Sequence, residues 1–224
     1  MITERTFASQ FNNFWRASLP NLEAVLRTLN LAYDRVEIPY KSATDPRRRD
    51  LISETGFRLF GLVLDGHRIS EATIETAGQL SGAFLHASPT RFSAAETTEI
   101  SEISRRLRRY TAGLSGPVAF APPLKGHGML SPCFADIVVG EQVVEVKYVD
   151  RTFRSTDLRQ ALCYASLRYL AEGNTFSSAS IFNPLRGTAI SIGISELISG
   201  ASGRSAEEFF QDFSYVLSSG EISR

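Results

Sequence analysis

Asp136, Glu145 and Lys147 fall in two runs rich in β-branched residues, Ile137-Val138-Val139 and Val143-Val144, joined by Gly140-Glu141. A Gly-X pair between such runs predicts a two-residue hairpin turn. In that register Val139 pairs with Gln142, Ile137 with Val144, and Asp136 with Glu145. Counting outward from the turn, the last pair is a non-hydrogen-bonded one, where Cβ atoms approach to roughly 4.5–5.5 Å. Alternation sets Asp136, Val138, Val143, Glu145 and Lys147 on one face and Ile137, Val139, Val144 and Val146 on the other, so the second face is expected to supply the core contact. Two carboxylates about 4 Å apart repel by about 4 kcal/mol at an effective dielectric near 20. The pair therefore calls for a proton or a cation between its members. Mg²⁺ suits it, because that ion takes one or two carboxylates, substrate phosphate oxygens and several waters.

Downstream, a helix is expected from about Thr156 to Glu172. Gln160 and Tyr164, four residues apart, share one of its faces, while Leu158, Leu162, Ala165 and Tyr169 pack another. Asp136, eight residues, then Glu145-Val146-Lys147 resembles the core motif of the PD-(D/E)XK nuclease superfamily. Gln160-Ala161-Leu162-Cys163-Tyr164 is similar to the QxxxY motif of its RecB-like branch. The resemblance spans about residues 117 to 195 and implies an α/β (α+β) fold with a restriction-endonuclease-like αβββαβ core. It implies that Asp136, Glu145 and the Val146 backbone carbonyl hold Mg²⁺ or Mn²⁺, that Lys147 positions or activates the attacking water, and that Gln160 and Tyr164 lie beside the site. The expected activity is hydrolysis of phosphodiester bonds in nucleic acid, with DNA favoured. The expected setting is a restriction, antiviral defence or repair complex with an ATPase or DNA-binding subunit, or a homo-oligomer. The alternative is an inactive nuclease-fold scaffold or nucleic-acid-binding subunit. Ala135 stands in place of the family's proline, and Cys133 in place of a glycine frequent three residues before the aspartate. Members often add an acid from the first helix; Glu99, Glu102 and the earlier Glu54 all qualify.

These residues need elements to hold them. Ser93 and Glu96 form a capping-box pattern opening a helix that ends near Gly113 and serves as the first helix of the core. Past Gly113 the pattern changes to short strands: VAFAP, CFADIVV, QVVEVKYV, SASIF and TAISIGI. Asn183 to Gly187 reads as a turn, and Ala206 to Leu217 as a closing helix. Upstream, Phe7, Phe11, Phe14 and Trp15 make an aromatic stripe at helical spacing, read as packing against the core or a second subunit. Further helices are expected from about Arg47 to Leu64 and Ser70 to Leu85. The chain thus divides into a helical region, 1–92, for assembly or nucleic-acid contact, and a nuclease-like domain, 93–224.

The 224 residues carry 24 basic and 24 acidic groups, so no net field draws nucleic acid and local clusters must do so. Arg105, Arg106, Arg108 and Arg109 are the candidate nucleic-acid contacts, with Arg47 to Arg49 a second cluster. Only Lys41, Lys125 and Lys147 are lysines, so Lys147 in an apolar strand asks for a reason. Cys133 and Cys163, with His67, His86 and His127, lack zinc spacing, and the cysteines read as buried small residues in a reducing compartment. His127, between two glycines, reads as a turn residue. The sequence has no apolar leader and no membrane-length apolar run, and the expected location is the cytoplasm.

Overall fold

A computed structural model describes residues 1–84 and 91–219; Leu85 and His86 of the sequence reading lie outside them. Thr3 opens α1 (Glu4–Gln10) by accepting a hydrogen bond from the Thr6 amide at 3.1 Å. The aromatic stripe does not form one helix. The backbone breaks at Phe11 and resumes as α2 (Asn12–Ser18), followed by α3 (Leu22–Leu31). The break lets the Trp15 indole N–H donate to the Phe7 carbonyl at 3.0 Å, and it gathers Phe7, Phe11, Phe14 and Trp15 into one buried ring cluster against Phe213. No other copy of the chain is needed to cover them.

A two-residue strand, β1 (Asp34–Arg35), and a 3-10 turn at Pro46–Arg48 lead to α4 (Arg49–Leu64) and α5 (Glu71–Phe84). Helix α6 (Ala94–Ala112) has both arms of the Ser93–Glu96 capping box and ends at Gly113, as its sequence signals require. There follow β2 (Val118–Phe120), β3 (Pro123–Leu124), β4 (Cys133–Phe134), β5 (Ile137–Val139) and β6 (Gln142–Val146). Then come α7 (Ser155–Glu172), β7 (Ser178–Asn183), β8 (Thr188–Gly193), α8 (Ile194–Ser202) and α9 (Ala206–Ser219). Helix α8, for which the sequence reading gives no element, begins at the last residue of the expected strand TAISIGI; Ile194, Leu197, Ile198 and Ala201 recur at helical spacing and all are buried.

The fold is mixed α/β, with the main sheet in the order β1-β8-β7-β6-β5-β2. Strands β6 and β7 run parallel and are joined through α7, while every other neighbouring pair is antiparallel. Both faces are covered, which corrects the expectation of one core face. Val143 packs with α7 and the α1–α3, α8 and α9 residues, whereas Ile137, Val139 and Val144 pack with α4 and α6. The two layers also cut across a boundary at residue 92. Phe7 to Leu26 belong to the layer that contains α7 and α9, and Ile52 to Ala77 to the layer that contains α6. Gly56 fixes the second layer: a Cβ there would stand 2.6 Å from Ile103 Cβ, so only glycine lets α4 lie this close to α6.

Candidate active site

The β5–β6 hairpin has the register its sequence predicts, Val139 with Gln142, Val138 with Val143 and Ile137 with Val144. Gly140 opens the turn at φ +56°, the left-handed conformation that a Gly-X turn demands of its first residue. The expected strand CFADIVV is broken, however, into β4 and β5 at Ala135-Asp136. Across the break the ribbon keeps its partner, because the Ala121 amide donates to the Asp136 carbonyl at 3.0 Å and Ala135 to Pro122 at 3.1 Å. Ala121 adopts φ +45°, a strained value for a residue with a Cβ, and marks the kink.

At Asp136 the hairpin opens. In a regular ladder the Val146 amide would donate to the Ala135 carbonyl; here it donates to Asp136 Oδ2 at 2.8 Å. The aspartate side chain thereby replaces a rung, and the pair Asp136–Glu145 lies at the splayed end. Glu145 is 0% exposed. Lys147 Nζ stands 2.6 Å from Glu145 Oε1, yet neither oxygen of Glu145 has a well-formed hydrogen bond. Lys147 also donates to Gln160 Oε1 at 2.9 Å, and Gln160 Nε2 donates to the Tyr164 hydroxyl at 2.8 Å. Asp157, held by Arg151 through contacts of 2.8 and 3.0 Å, lies 3.9 Å from the same ammonium. The structure therefore joins Glu145, Lys147, Gln160 and Tyr164 in one polar chain, with Asp136 tied on through the Val146 amide.

The charges follow from this crowding. Burial, and then the Glu145 charge, push the Asp136 carboxyl up to about 8, against smaller opposing effects of the Val146 amide, Lys147 and Arg5. Burial works against the Lys147 ammonium, but Glu145, Asp136 and Asp157 together carry its pKa above the usual lysine value. Burial and then Glu145 and Asp136 raise Tyr164. A buried carboxylate that meets one ammonium but makes no well-formed hydrogen bond, beside a carboxyl whose pKa its charge helps to raise, is a pair that a cation would relieve. Among the described residues no group of three His, Cys, Asp or Glu side chains is arranged to hold a metal, so the fit rests on the pair.

A cavity of about 160 Å³ opens beside Asp136, lined also by Val146, Tyr148, Glu54 and Asp50 of α4, and Arg5 of α1. Of the three acids left open by the sequence, Glu54 alone reaches it, with Arg58 at 2.8 Å. Glu99 is 1% exposed and saturated by hydroxyls, from Ser42 at 2.9 Å, Thr44 at 3.0 Å and Tyr148 at 2.7 Å. Glu102 is held by Arg105 and Arg106, and those bonds lower its pKa to about 2 despite partial burial. Arg5 is the residue that sequence reasoning missed. It is 66% exposed in its side chain, and its pKa is raised by Asp136 and Glu145, which outweigh burial. The motif lies far along the chain from it, and a charge next to an aromatic stripe carries no sign of which site it will meet.

The arginine cluster does not form the free basic row expected of it. Arg106 is buried, bound to Glu102 and to the carbonyls of Ile38 and Pro184. Arg105 is held by Glu37 and Glu102 at 2.7 Å each, Arg109 lies 3.8 Å from Glu37, and Arg108 alone of the four has no ion pair among the described residues. The physical reason is local: a charge row on a packed helix recruits the acids that its neighbours supply. His127 sits against Ser214 at 3.0 Å and anchors α9. Cys163 is fully buried, and burial raises both thiols, Cys133 to about 12.

No protein-family model, curated protein or solved structure matches the chain.

Proposed function

We propose that the protein is a metal-dependent nuclease of the PD-(D/E)XK kind, cutting phosphodiester bonds in nucleic acid, with DNA the favoured substrate. The observation that carries the reading is the chain Glu145–Lys147–Gln160–Tyr164, in which the buried Glu145 lacks a well-formed hydrogen bond and stands beside Asp136. Those five residues were singled out by motif spacing alone, and they come from two strands and a helix. The order of α6, β2, β5, β6, α7 and β7 adds weight, being αβββαβ.

In this reading Asp136, Glu145 and the Val146 carbonyl hold Mg²⁺ or Mn²⁺, with Glu54 on the far wall of the cavity. A bound divalent ion lowers the pKa of its water and offsets charge on the phosphoryl oxygens. Lys147, with its raised pKa, stays an ammonium at neutral pH. It is therefore a poor proton acceptor and a good donor to the attacking water and to the phosphate oxygen whose charge grows. Gln160 fixes where that ammonium points, and Tyr164 fixes Gln160.

The test is incubation of the protein with labelled single- and double-stranded DNA and RNA, with Mn²⁺ or with chelator, beside Asp136→Asn. Cleavage that needs both the metal and Asp136 is expected; no metal-dependent cleavage of any form sinks the reading. A second reading, a nuclease-fold scaffold that binds without cutting, is favoured by one observation: Lys147 stands 2.6 Å from Glu145, whose carboxylate is hidden from solvent. A scaffold gains no thermal stability from Mg²⁺ or Mn²⁺, and an active site does.

A further inference from the structure

Three of the four α6 arginines meet carboxylates, and the surface next to the acid site carries cations of its own. A separate cavity of about 330 Å³ is lined by Lys41, Arg49 and Arg186, with Tyr40, Ser42 and Asp150. The three cations come from three places: the segment before the 3-10 turn, the first residue of α4, and the β7–β8 turn. Arg186 is set by Asn183, whose Oδ1 accepts from the Leu185 and Arg186 amides at 3.1 and 3.2 Å, and by Gly187 at φ +62°. None of the three forms an ion pair among the described residues, and what sets them apart from the chain's other unpaired arginines is that they line one cavity. Against them stands one exposed acid, Asp150. Three convergent unpaired cations facing one carboxylate leave an excess of positive charge that a phosphate group would satisfy.

This cavity adjoins the acid site. Arg49 lines it and the next residue, Asp50, lines the acid cavity; Tyr148 lines the acid cavity and Asp150 this one. The two walls are bolted together by Glu99, whose Oε1 accepts from Ser42 in the basic cavity at 2.9 Å and from the Tyr148 hydroxyl of the acid cavity at 2.7 Å. The buried glutamate thus sets the spacing between a place for cations and a place made of them.

We infer that Lys41, Arg49 and Arg186 form a phosphate-binding pocket that holds the nucleic-acid backbone next to the phosphodiester presented to Asp136 and Glu145. The inference rests on the nuclease reading for the identity of the strand, and its test does not need cutting. Binding of a labelled oligonucleotide is measured in chelator by fluorescence anisotropy over a salt series, for wild type, the three single alanine variants, the triple variant, and Arg16→Ala/Arg27→Ala, exposed on α2 and α3, as a control, each checked for its melting transition. Arg49→Gln serves if the alanine variant at the start of α4 does not fold. Each lost phosphate contact should lower the slope of log K against log salt by about 0.7 to 0.9 and weaken binding equally across sequences. The control should keep the wild-type slope.

Wild-type protein that binds through these residues yet never cleaves upholds the pocket and removes the nuclease reading. Variants that bind with wild-type slope overturn the pocket, as does a slope that moves only in the control. A pocket that binds inorganic phosphate or a nucleoside monophosphate, in competition with no oligonucleotide, overturns the strand assignment.

Discussion

Glu145 and Glu99 are equally hidden from solvent, 0% and 1% exposed, and they differ in what their carboxylates meet. Glu99 receives three hydroxyl donors and no cation. Glu145 has an ammonium at 2.6 Å but no well-formed hydrogen bond, and shares its space with a second carboxyl. A buried charge whose lone pairs are all occupied is part of the scaffold, and removing it strands its donors. A buried charge left short of partners destabilises the fold it sits in, and such groups persist where a ligand or a reaction uses them. By that contrast Glu99 is part of the scaffold although it lies on the first helix of the core, and the proposed nuclease reading places its functional acid at Glu145.

The contrast breaks first, and by the largest margin, at Lys147. Lys147→Ala should lower the cleavage rate by at least about 10³-fold, because the lost donor acts on charge that develops in the transition state. The same change leaves Glu145 buried without its cation, at a cost on the order of 3 kcal/mol in metal-free protein, read by urea unfolding. Glu145→Gln should lose cleavage as fully and cost less stability than Lys147→Ala, since the Lys147 ammonium keeps Gln160 at 2.9 Å and Asp157 at 3.9 Å. If Lys147→Ala cuts at the wild-type rate, the assignment of the site is wrong.

Glu99→Ala is the mirror experiment. Three donors lose one acceptor, so the cost should be on the order of 3 kcal/mol in stability, while Mn²⁺ affinity of the folded protein stays within a few-fold of wild type. A thermal shift with Mn²⁺ present and absent separates the two. At a metal concentration about 100 times its Kd the wild-type and Glu99→Ala proteins should each gain about 2.7 kcal/mol. Asp136→Asn should gain nothing.

The acidity of the pair sharpens the comparison further. The Asp136 carboxyl is at about 8 in the folded chain, against 3.8 for an ordinary aspartate. Between these values the folded state holds a proton that the unfolded state has released. Stability of metal-free protein should therefore be greatest below about pH 4 as far as this group is concerned, fall as pH rises, and level off above pH 8. Asp136→Asn should flatten that dependence, and a denaturant series across this range checks it. Glu99 substitutions should leave it in place.

The hairpin, its register and the α6 capping box were legible in the sequence because each follows from local periodicity or spacing, whereas the membership of the polar chain came only through the resemblance of two separate motifs to one family. The break at Asp136 was not. Nothing in CFADIVV says that an aspartate side chain will take the Val146 amide in place of a backbone carbonyl, since an Asp in a strand and an Asp that ends one are spelled alike. Burial of the polar face was hidden for a related reason: α1 lies over α7, and residues 160 and 164 are covered by a helix near the start of the chain. The arginines of α6 misled because their partner, Glu37, sits in an irregular segment with no periodic signal.

The smallest effect should come from Tyr164, the end member of the hydrogen-bonded chain. Its hydroxyl accepts from Gln160 Nε2 at 2.8 Å, and Gln160 in turn receives Lys147. Tyr164 is 1% exposed, so Tyr164→Phe keeps the ring packing and removes one buried acceptor, leaving an amide hydrogen unpaired. That should cost about 1 kcal/mol in stability. Its effect on cutting acts through the orientation of an ammonium two hydrogen bonds away, so kcat should fall by several-fold, KM should be unchanged, and the pH dependence of stability set by Asp136 should persist. Gln160→Leu removes the nearer link and should lower kcat more than Tyr164→Phe does. The double variant should then fall no further than Gln160→Leu alone, because residues that act in series are not additive. Additive losses would mean that Tyr164 contacts the site by a route of its own, and the polar chain would no longer explain why Glu145 and Lys147 are held as they are.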